Sequence, residues 1–143
     1  MRTGTLIAAL GGRKVLKARV RNEMDLITAA SDGLPPASAA SVVASGLLTS
    51  EELYQLVIPR RTFARRQEEM EPLTPDESDR LLRVVRVIVR AIEILGNSEK
   101  ANSWLRRANK ALAGKVPISL LASDLGARLV EQVLGRIEYG VYS

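Results

Sequence analysis

TPDESDRLLRVVRVIVRAIEIL, residues 74–95, is the stretch that decides the fold of this chain. Thr74, Pro75 and Glu77 stand at the N-cap, N1 and N3 positions of a capping box, and Gly96 is suited to the C′ position. At 100° per residue the apolar side chains cover well over half of the circumference, and the rest is a stripe of arginines. An ordinary surface helix carries an apolar band of roughly 100°. The stretch therefore predicts a long central helix that different parts of the chain cover on two sides.

Upstream of the central helix, the chain has the pattern of two short helices joined by a tight turn. Thr49 and Glu52 form a second capping box before a helix that Ile58-Pro59 brings to an end. The segment RRTFARRQEE at 60–69 then has helical propensity, with Phe63-Ala64 expected to face inward. Two short helices joined in this way are the geometry of a helix-turn-helix, whose second helix enters the major groove of DNA.

The second helix of this pair carries four arginines and a threonine within seven residues. Arginine forks match guanine O6/N7 and phosphate oxygens, and a threonine hydroxyl suits a phosphate or a base edge. The alternative is a solvated cationic face whose charges pair with neighbouring glutamates. The candidate DNA-binding residues are Arg60, Arg61, Thr62, Arg65 and Arg66.

The first 36 residues are predicted to form short helices that break at DGLPP, residues 32–36, because paired prolines stop a helix. Gly11-Gly12 is a plausible helix stop, followed by a cluster of cations from Arg13 to Arg21. The glycines lack the GxxxxGK[ST] spacing of a phosphate-binding loop. A solvated basic segment is the simpler interpretation.

Beyond the central helix, the sequence predicts a helix over 97–112, a brief helical turn over 117–121 and a last helix that Ser123 or Asp124 caps. Trp104 is interpreted as a core anchor. The last helix has apolar residues at helical spacing, all expected to face inward: Leu125, Leu129, Val130, Val133, Leu134 and Ile137.

The final residues EYGVYS, 138–143, contain two of the three tyrosines of the protein. Free termini are normally polar and frayed. An apolar and aromatic end with a glycine therefore suggests docking, either back onto the core of the same chain or into a pocket of a partner.

Composition excludes several classes of function. Histidine and cysteine are absent from the sequence, which removes the usual general base, the usual nucleophile pairs and thiolate metal sites. We expect no metal, no cofactor and no enzymatic activity. The apolar windows are too short, or too interrupted by arginine, to predict a membrane span or an export signal, so we expect a cytoplasmic protein.

Several blocks of the sequence resemble the Xre-type antitoxins of RES–Xre toxin–antitoxin pairs, which carry an Xre/ParS-type toxin-binding domain. The resemblance covers nearly the whole chain in the right order. Its departures, including Val57 and Ala122-Ser123, fall in expected turns. The blocks are ALGGRKVL (9–16), GLPP (33–36), IPRRTFARR (58–66), LTPDESDRLLRVVRV (73–87), KANSWLRRANKALAGKVPISLL (100–121) and GARLVEQVLGRIEYGVYS (126–143).

The resemblance implies a protein that binds a cognate RES-domain toxin, which destroys NAD, and that places its C-terminal helix and tail at the toxin's active-site entrance. It also implies repression of its own operon through the helix-turn-helix. A homodimer or a toxin-bridged assembly on operator DNA is expected, because one helix-turn-helix makes few contacts. The residues expected to bind the toxin are Arg136, Glu138, Tyr139, Gly140, Val141, Tyr142 and Ser143.

We therefore predict an all-α fold in which a helix-turn-helix part is joined by a long central helix to a small C-terminal helical part that binds the toxin. The predicted parts are short N-terminal helices and possible dimerisation arm (1–36), helix-turn-helix (37–72), central helix (73–96) and toxin-binding domain (97–143). The alternative is a free-standing helix-turn-helix repressor that senses a small molecule in a cavity of its C-terminal part.

Overall fold

The computed structural model describes residues 3–16 and 20–140, which contain helices and no strand. The prediction of an all-α fold is confirmed. The α-helices are α1 (Thr3–Ala9), α2 (Gly12–Leu16), α3 (Glu23–Asp32), α4 (Pro36–Ala44), α5 (Ser50–Leu56), α6 (Arg60–Glu69), α7 (Pro75–Leu95), α8 (Ser98–Leu105) and α9 (Asp124–Glu138). Two 3₁₀ helices span Lys110–Leu112 and Pro117–Ala122.

The long helix α7 begins and ends where the sequence predicts. The Thr74 N–H donates to Glu77 Oε1 at 2.8 Å and the Glu77 N–H donates to Thr74 Oγ1 at 3.1 Å, which completes the capping box. Gly96 follows the helix with φ 102°. Viewed down the axis of α7 at 100° per residue, the buried side chains occupy an arc of about 200°. Val87 lies at one edge of this arc and Val89 at the other. This buried arc is wider than the roughly 100° apolar band of an ordinary surface helix, as the sequence predicts.

The chain divides into two compact units, and the division falls inside α7, between Val85 and Arg86. In the first unit, α4 packs against α1, α2, α5 and α6. The core of this unit is aliphatic, with Leu10, Leu34, Leu53 and Ile58 among its fully buried side chains.

A buried polar contact joins the turn after α3 to the start of α7. The Leu34 N–H donates to the Ser78 hydroxyl at 2.8 Å, and the Leu73 N–H donates to the Leu34 carbonyl at 2.9 Å. Gly33 beside them has φ 100°, and a Cβ there would collide with the Leu73 carbonyl oxygen. Only glycine fits this turn without strain.

In the second unit, α9 packs against both 3₁₀ helices, and α8 packs against the second. Gly126 lies in the first turn of α9, where a Cβ would collide with the Leu120 carbonyl oxygen. The Ser123 hydroxyl accepts a hydrogen bond from the Gly126 N–H at 3.0 Å. Of the two N-cap candidates in the sequence, Ser123 and Asp124, the N-cap is therefore Ser123.

Three sequence-based expectations about helices and inward faces are wrong. The helix expected over 97–112 ends at Leu105, and a separate 3₁₀ helix begins after Asn109, whose side chain accepts the Ala111 N–H. Ala64 is exposed on α6. Leu125 and Leu129 are also exposed, at 68% and 42%, because α9 buries a different face.

Candidate functional site

The helices α5 and α6 form the predicted pair with a three-residue turn between them. Thr49 and Glu52 make the expected capping box at the start of α5. Val57 and Ile58 are buried in the turn, and Phe63 buries the inner face of α6. The outer face of α6 is therefore held at a fixed angle by apolar contacts on both sides of the turn.

The four arginines of α6 differ in how far their charges are already neutralised. Arg60 and Arg61 are exposed, and no carboxylate of the described residues lies within ion-pair distance of either. Arg65 pairs with Glu69 at 3.6 Å and with Glu71 at 3.2 Å, and its side chain remains half exposed. Thr62 is half-buried on the same helix.

Arg66 has a different environment from the other three arginines. Its Nε and Nη2 donate to the two oxygens of Glu77 at 3.0 and 3.3 Å, and Nη1 donates to Glu71 at 3.0 Å. These bonds to Glu77 raise the pKa of Arg66. Burial pushes the pKa of Glu77 upward, but the hydrogen bonds from Arg66 and Thr74 outweigh it, and the net pKa lies below its usual value. Arg66 therefore joins α6 to the start of α7.

Helix α9 presents to solvent a second face that carries three large apolar or aromatic side chains, Leu125, Leu129 and Tyr139. We call it the α9 stripe and define it by exposed residues at spacings of three and four: Leu125, Leu129, Gln132, Arg136 and Tyr139. At 100° per residue these positions fall within an arc of about 80° and extend over about 21 Å. The opposite face of α9 is buried and includes Ala127, Val130 and Leu134.

A surface groove of about 330 Å³ runs beside the α9 stripe. Leu129, Gln132 and Arg136 form one wall, and the other wall includes Leu112 and Lys115. The groove is open and partly apolar, which suits a side chain of another molecule.

The C-terminal end of α9 is tied to α7. The Arg90 Nη2 donates to Glu138 Oε1 at 3.4 Å, and the Arg86 Nη2 donates to Glu131 at 2.9 Å. Two arginines of the predicted stripe on α7, Arg86 and Arg90, are thus already paired with glutamates. The sequence pattern did not reveal these pairs, because the glutamates lie 45 and 48 residues further along the chain.

The predicted toxin-binding residues of the tail are only partly described. Tyr139 is 78% exposed, and Gly140 has φ 70°, a conformation that favours glycine. Val141, Tyr142 and Ser143 lie outside the described residues.

Within the described ranges, no group of three or more aspartate and glutamate side chains is arranged to hold a metal ion. None of the helices described is both long and apolar enough to cross a membrane.

The helix pair, the long helix and the second helical unit define a helix-turn-helix protein with an appended helical domain. Residues 25–86 match the antitoxin Xre-like helix-turn-helix domain, and residues 90–140 match the antitoxin Xre/MbcA/ParS C-terminal toxin-binding domain. The chain belongs to the Xre antitoxin family, as the resemblance of its sequence blocks predicts. Both matched domains are antitoxin domains, and the relatives below are named antitoxins.

Three relatives named "Antitoxin Xre" show the extent of the similarity. The protein from Pseudomonas putida is 33% identical over 119 residues, which cover 83% of this chain and 74% of that protein. The protein from Yersinia enterocolitica is 39% identical over 87 residues, covering 60% of this chain and 59% of the relative. The protein from Photorhabdus laumondii is 37% identical over 84 residues, covering 58% and 57%. The chain thus spans less than two thirds of the length of the last two.

Proposed function

We propose that this protein is the antitoxin of a toxin–antitoxin pair and that it neutralises a RES-domain, NAD-degrading toxin by covering the active site of that toxin. The observation that carries the proposal is the α9 stripe in the segment matched by a toxin-binding domain. Three residues of this stripe, Leu125, Leu129 and Tyr139, are large apolar or aromatic side chains that the described chain leaves exposed. Exposed apolar anchors at spacings of three and four along one helix face are the usual form of a helix that docks in a groove of a partner.

The tail supplies the second part of the proposed mechanism. Tyr139 extends the stripe beyond the last turn of α9, and Gly140 allows a close approach of backbone to a partner. In our proposal Arg136 and Tyr139 meet polar groups at the mouth of the toxin, and residues 141–143 enter the space meant for the nucleotide. Glu138 is bonded to Arg90 and its side chain is 41% exposed, so in our proposal it anchors the start of the tail and also contacts the toxin.

The test separates docking from occlusion. A complex with a RES-domain toxin is assembled, and toxin affinity and NAD consumption are both measured. Leu125→Asp/Leu129→Asp should weaken toxin binding by 100-fold or more, because each change places a charge in a desolvated interface and hot spots are worth about 2 kcal/mol or more. Ile27→Asp, at an exposed apolar position of α3, is the matched control and should leave toxin binding unchanged.

A chain that stops after Glu138 keeps the ion pair with Arg90 and removes only the tail. We expect it to bind the toxin but to leave NAD consumption largely uninhibited. Full protection by this shortened chain would contradict occlusion by the tail. Unchanged binding by the Leu125 and Leu129 variant would contradict docking through the α9 stripe.

We also propose that α6 reads operator DNA and that the protein represses its own operon, as a homodimer or as a complex bridged by toxin. Arg60 and Arg61 are the arginines of α6 whose charges no described carboxylate neutralises, and Thr62 follows them. Arg65 contributes after release from its exposed partners, whereas Arg66 holds the helix in place.

The test of DNA recognition uses a duplex selected from a random pool by the full-length chain. Arg61→Ala should reduce the preference for the selected duplex over random DNA by about 1–3 kcal/mol, the usual worth of a bidentate base contact. Arg128→Ala, which removes an exposed arginine of α9, is the control. An unchanged preference in the Arg61 variant would assign Arg61 to a solvated face.

The small-molecule repressor remains the alternative, and the toxin-binding match over 90–140 favours the antitoxin. Neutralisation of a toxin in the absence of any added metabolite would decide between them.

A further inference from the structure

The basic charge of the chain is concentrated in a segment that neither matched domain covers. Six of the 21 lysines and arginines, and none of the 16 acidic residues, lie in residues 1–21. The matched helix-turn-helix segment, 25–86, contains 7 basic and 10 acidic residues and so has a formal charge of −3. The affinity of a protein for DNA depends strongly on how many phosphates its lysines and arginines neutralise. A segment whose own net charge is negative is poorly suited to provide this neutralisation alone.

The described part of this segment, residues 3–16 and 20–21, packs against the helix-turn-helix unit. Leu6, Leu10 and Leu16 are buried, and the Ser41 hydroxyl of α4 donates to the Ala9 carbonyl at 3.4 Å. Both α1 and α2 pack against α4. Arg13 and Lys14 are exposed on α2, so their charges stand on a fixed helix.

The packing order keeps α2 within reach of DNA bound by α6. Helix α4 packs against both α2 and α6. Packed helices are about 8–10 Å apart, so the axes of α2 and α6 lie within roughly 20 Å of each other. One turn of DNA is about 34–36 Å long and presents phosphates along its whole length. A duplex seated on α6 therefore has phosphates near enough to meet α2.

The charges of Arg13 and Lys14 are also available. Across residues 3–16 and 20–140, no carboxylate lies within ion-pair distance of either side chain. This contrasts with Arg65 and Arg66 on α6, whose charges are shared with glutamates.

We propose that α2 is a second DNA-binding element, in which Arg13 and Lys14 contact backbone phosphates beside the site read by α6. The proposal rests on DNA binding by α6. Its contacts carry no sequence information, because phosphate contacts position a protein and base contacts specify its site.

The experiment compares Arg13→Gln/Lys14→Gln with Lys100→Gln/Lys110→Gln in the full-length chain. Both variants remove two exposed positive charges, and the second removes them from the unit that follows Val85. Affinity for the selected duplex and for a random duplex of equal length is measured from 50 to 300 mM salt. Loss of two phosphate contacts should lower the slope of log K against log salt by about 1.8. With the affinity at 1 M salt taken as unchanged, this corresponds to about 30-fold weaker binding at 0.15 M.

We expect the loss on both duplexes, with their affinity ratio unchanged, and little change in the control variant. An unchanged slope in the Arg13 and Lys14 variant, with binding otherwise intact, would overturn this inference and leave DNA reading by α6 standing. A changed affinity ratio would overturn it too, by showing base contacts. Weaker toxin binding with an unchanged DNA slope would assign the basic face to an acidic protein surface instead. Failure of the unaltered chain to bind any duplex would overturn both proposals.

Discussion

Substitution of Glu77 by glutamine tests how α6 and α7 are held together. Glu77 has two functions, since Oε1 accepts the Thr74 N–H at the start of α7 and both oxygens accept hydrogen bonds from Arg66 of α6. Glutamine is accepted at the N3 position of a capping box, so Glu77→Gln keeps the helix start and removes the charge.

The expected cost is about 2 kcal/mol. Removal of one partner from a buried ion pair costs about 3–5 kcal/mol, because the other charge is left uncompensated. The Arg66 side chain is 13% exposed and keeps its bond to Glu71, both of which reduce the cost. The chain has 143 residues, close to the size at which 1 kcal/mol corresponds to about 2–4 °C in Tm, so a loss of about 4–8 °C is expected at neutral pH.

The pH dependence gives an independent check on this reasoning. The pKa of Glu77 is lowered in the folded protein, so its contribution is fully present above the unfolded pKa of about 4.3 and is lost as the pH falls through the folded pKa. Stability measured by urea unfolding at several pH values should therefore show a gap between the natural chain and Glu77→Gln that narrows below about pH 4.

Glu68→Gln is the matched control, because Glu68 is exposed on α6 and makes no ion pair with a described residue. It should change the free energy of unfolding by less than about 0.5 kcal/mol. The reasoning is refuted if Glu77→Gln behaves like this control at pH 7, or if its deficit is as large at pH 3 as at pH 7.

Further predictions concern buried contacts in each unit. Ser78→Ala should cost about 1–3 kcal/mol of unfolding free energy, because the buried Leu34 N–H loses its acceptor, and a cost near zero in urea unfolding would contradict this. Gly126→Ala should cost at least about 2 kcal/mol, because its Cβ meets the Leu120 carbonyl, and should reduce toxin affinity by disturbing α9. Gly135→Ala on the same helix should instead raise the thermal midpoint slightly, worth up to about 1 kcal/mol, because the nearest atom to the new Cβ is 4.0 Å away. Equal effects at the two glycines would show that backbone propensity, and not the collision, dominates.

The features that the sequence predicted correctly depend on interactions between residues close together in the chain. A capping box needs only residues three apart, so the starts of α5 and α7 were readable at Thr49 and Thr74. The turn at Ile58-Pro59 follows in the same way from proline sterics.

The features that the sequence did not predict depend on distant partners. Periodicity places Leu125 and Val130 on apolar faces of one helix, but it does not say which face the 3₁₀ helices cover. The pairing of Arg66 with Glu77 joins residues eleven apart on different helices, so the charge run alone gave no sign that one of its arginines is engaged. The site residues of α6 and of the tail remain predictions for the experiments above.

Interleaving of two faces on α9 has a consequence for how such proteins diverge. One set of positions on α9 is buried and is constrained by packing: 126, 127, 130, 133 and 134. A second set is exposed and is not constrained in this way: 125, 129, 132, 136 and 139. A substitution at an exposed position of the second set should cost less folding free energy than one at a buried position of the first. If the second set binds the toxin as proposed, related chains can change partner at these positions while the buried positions keep the same fold.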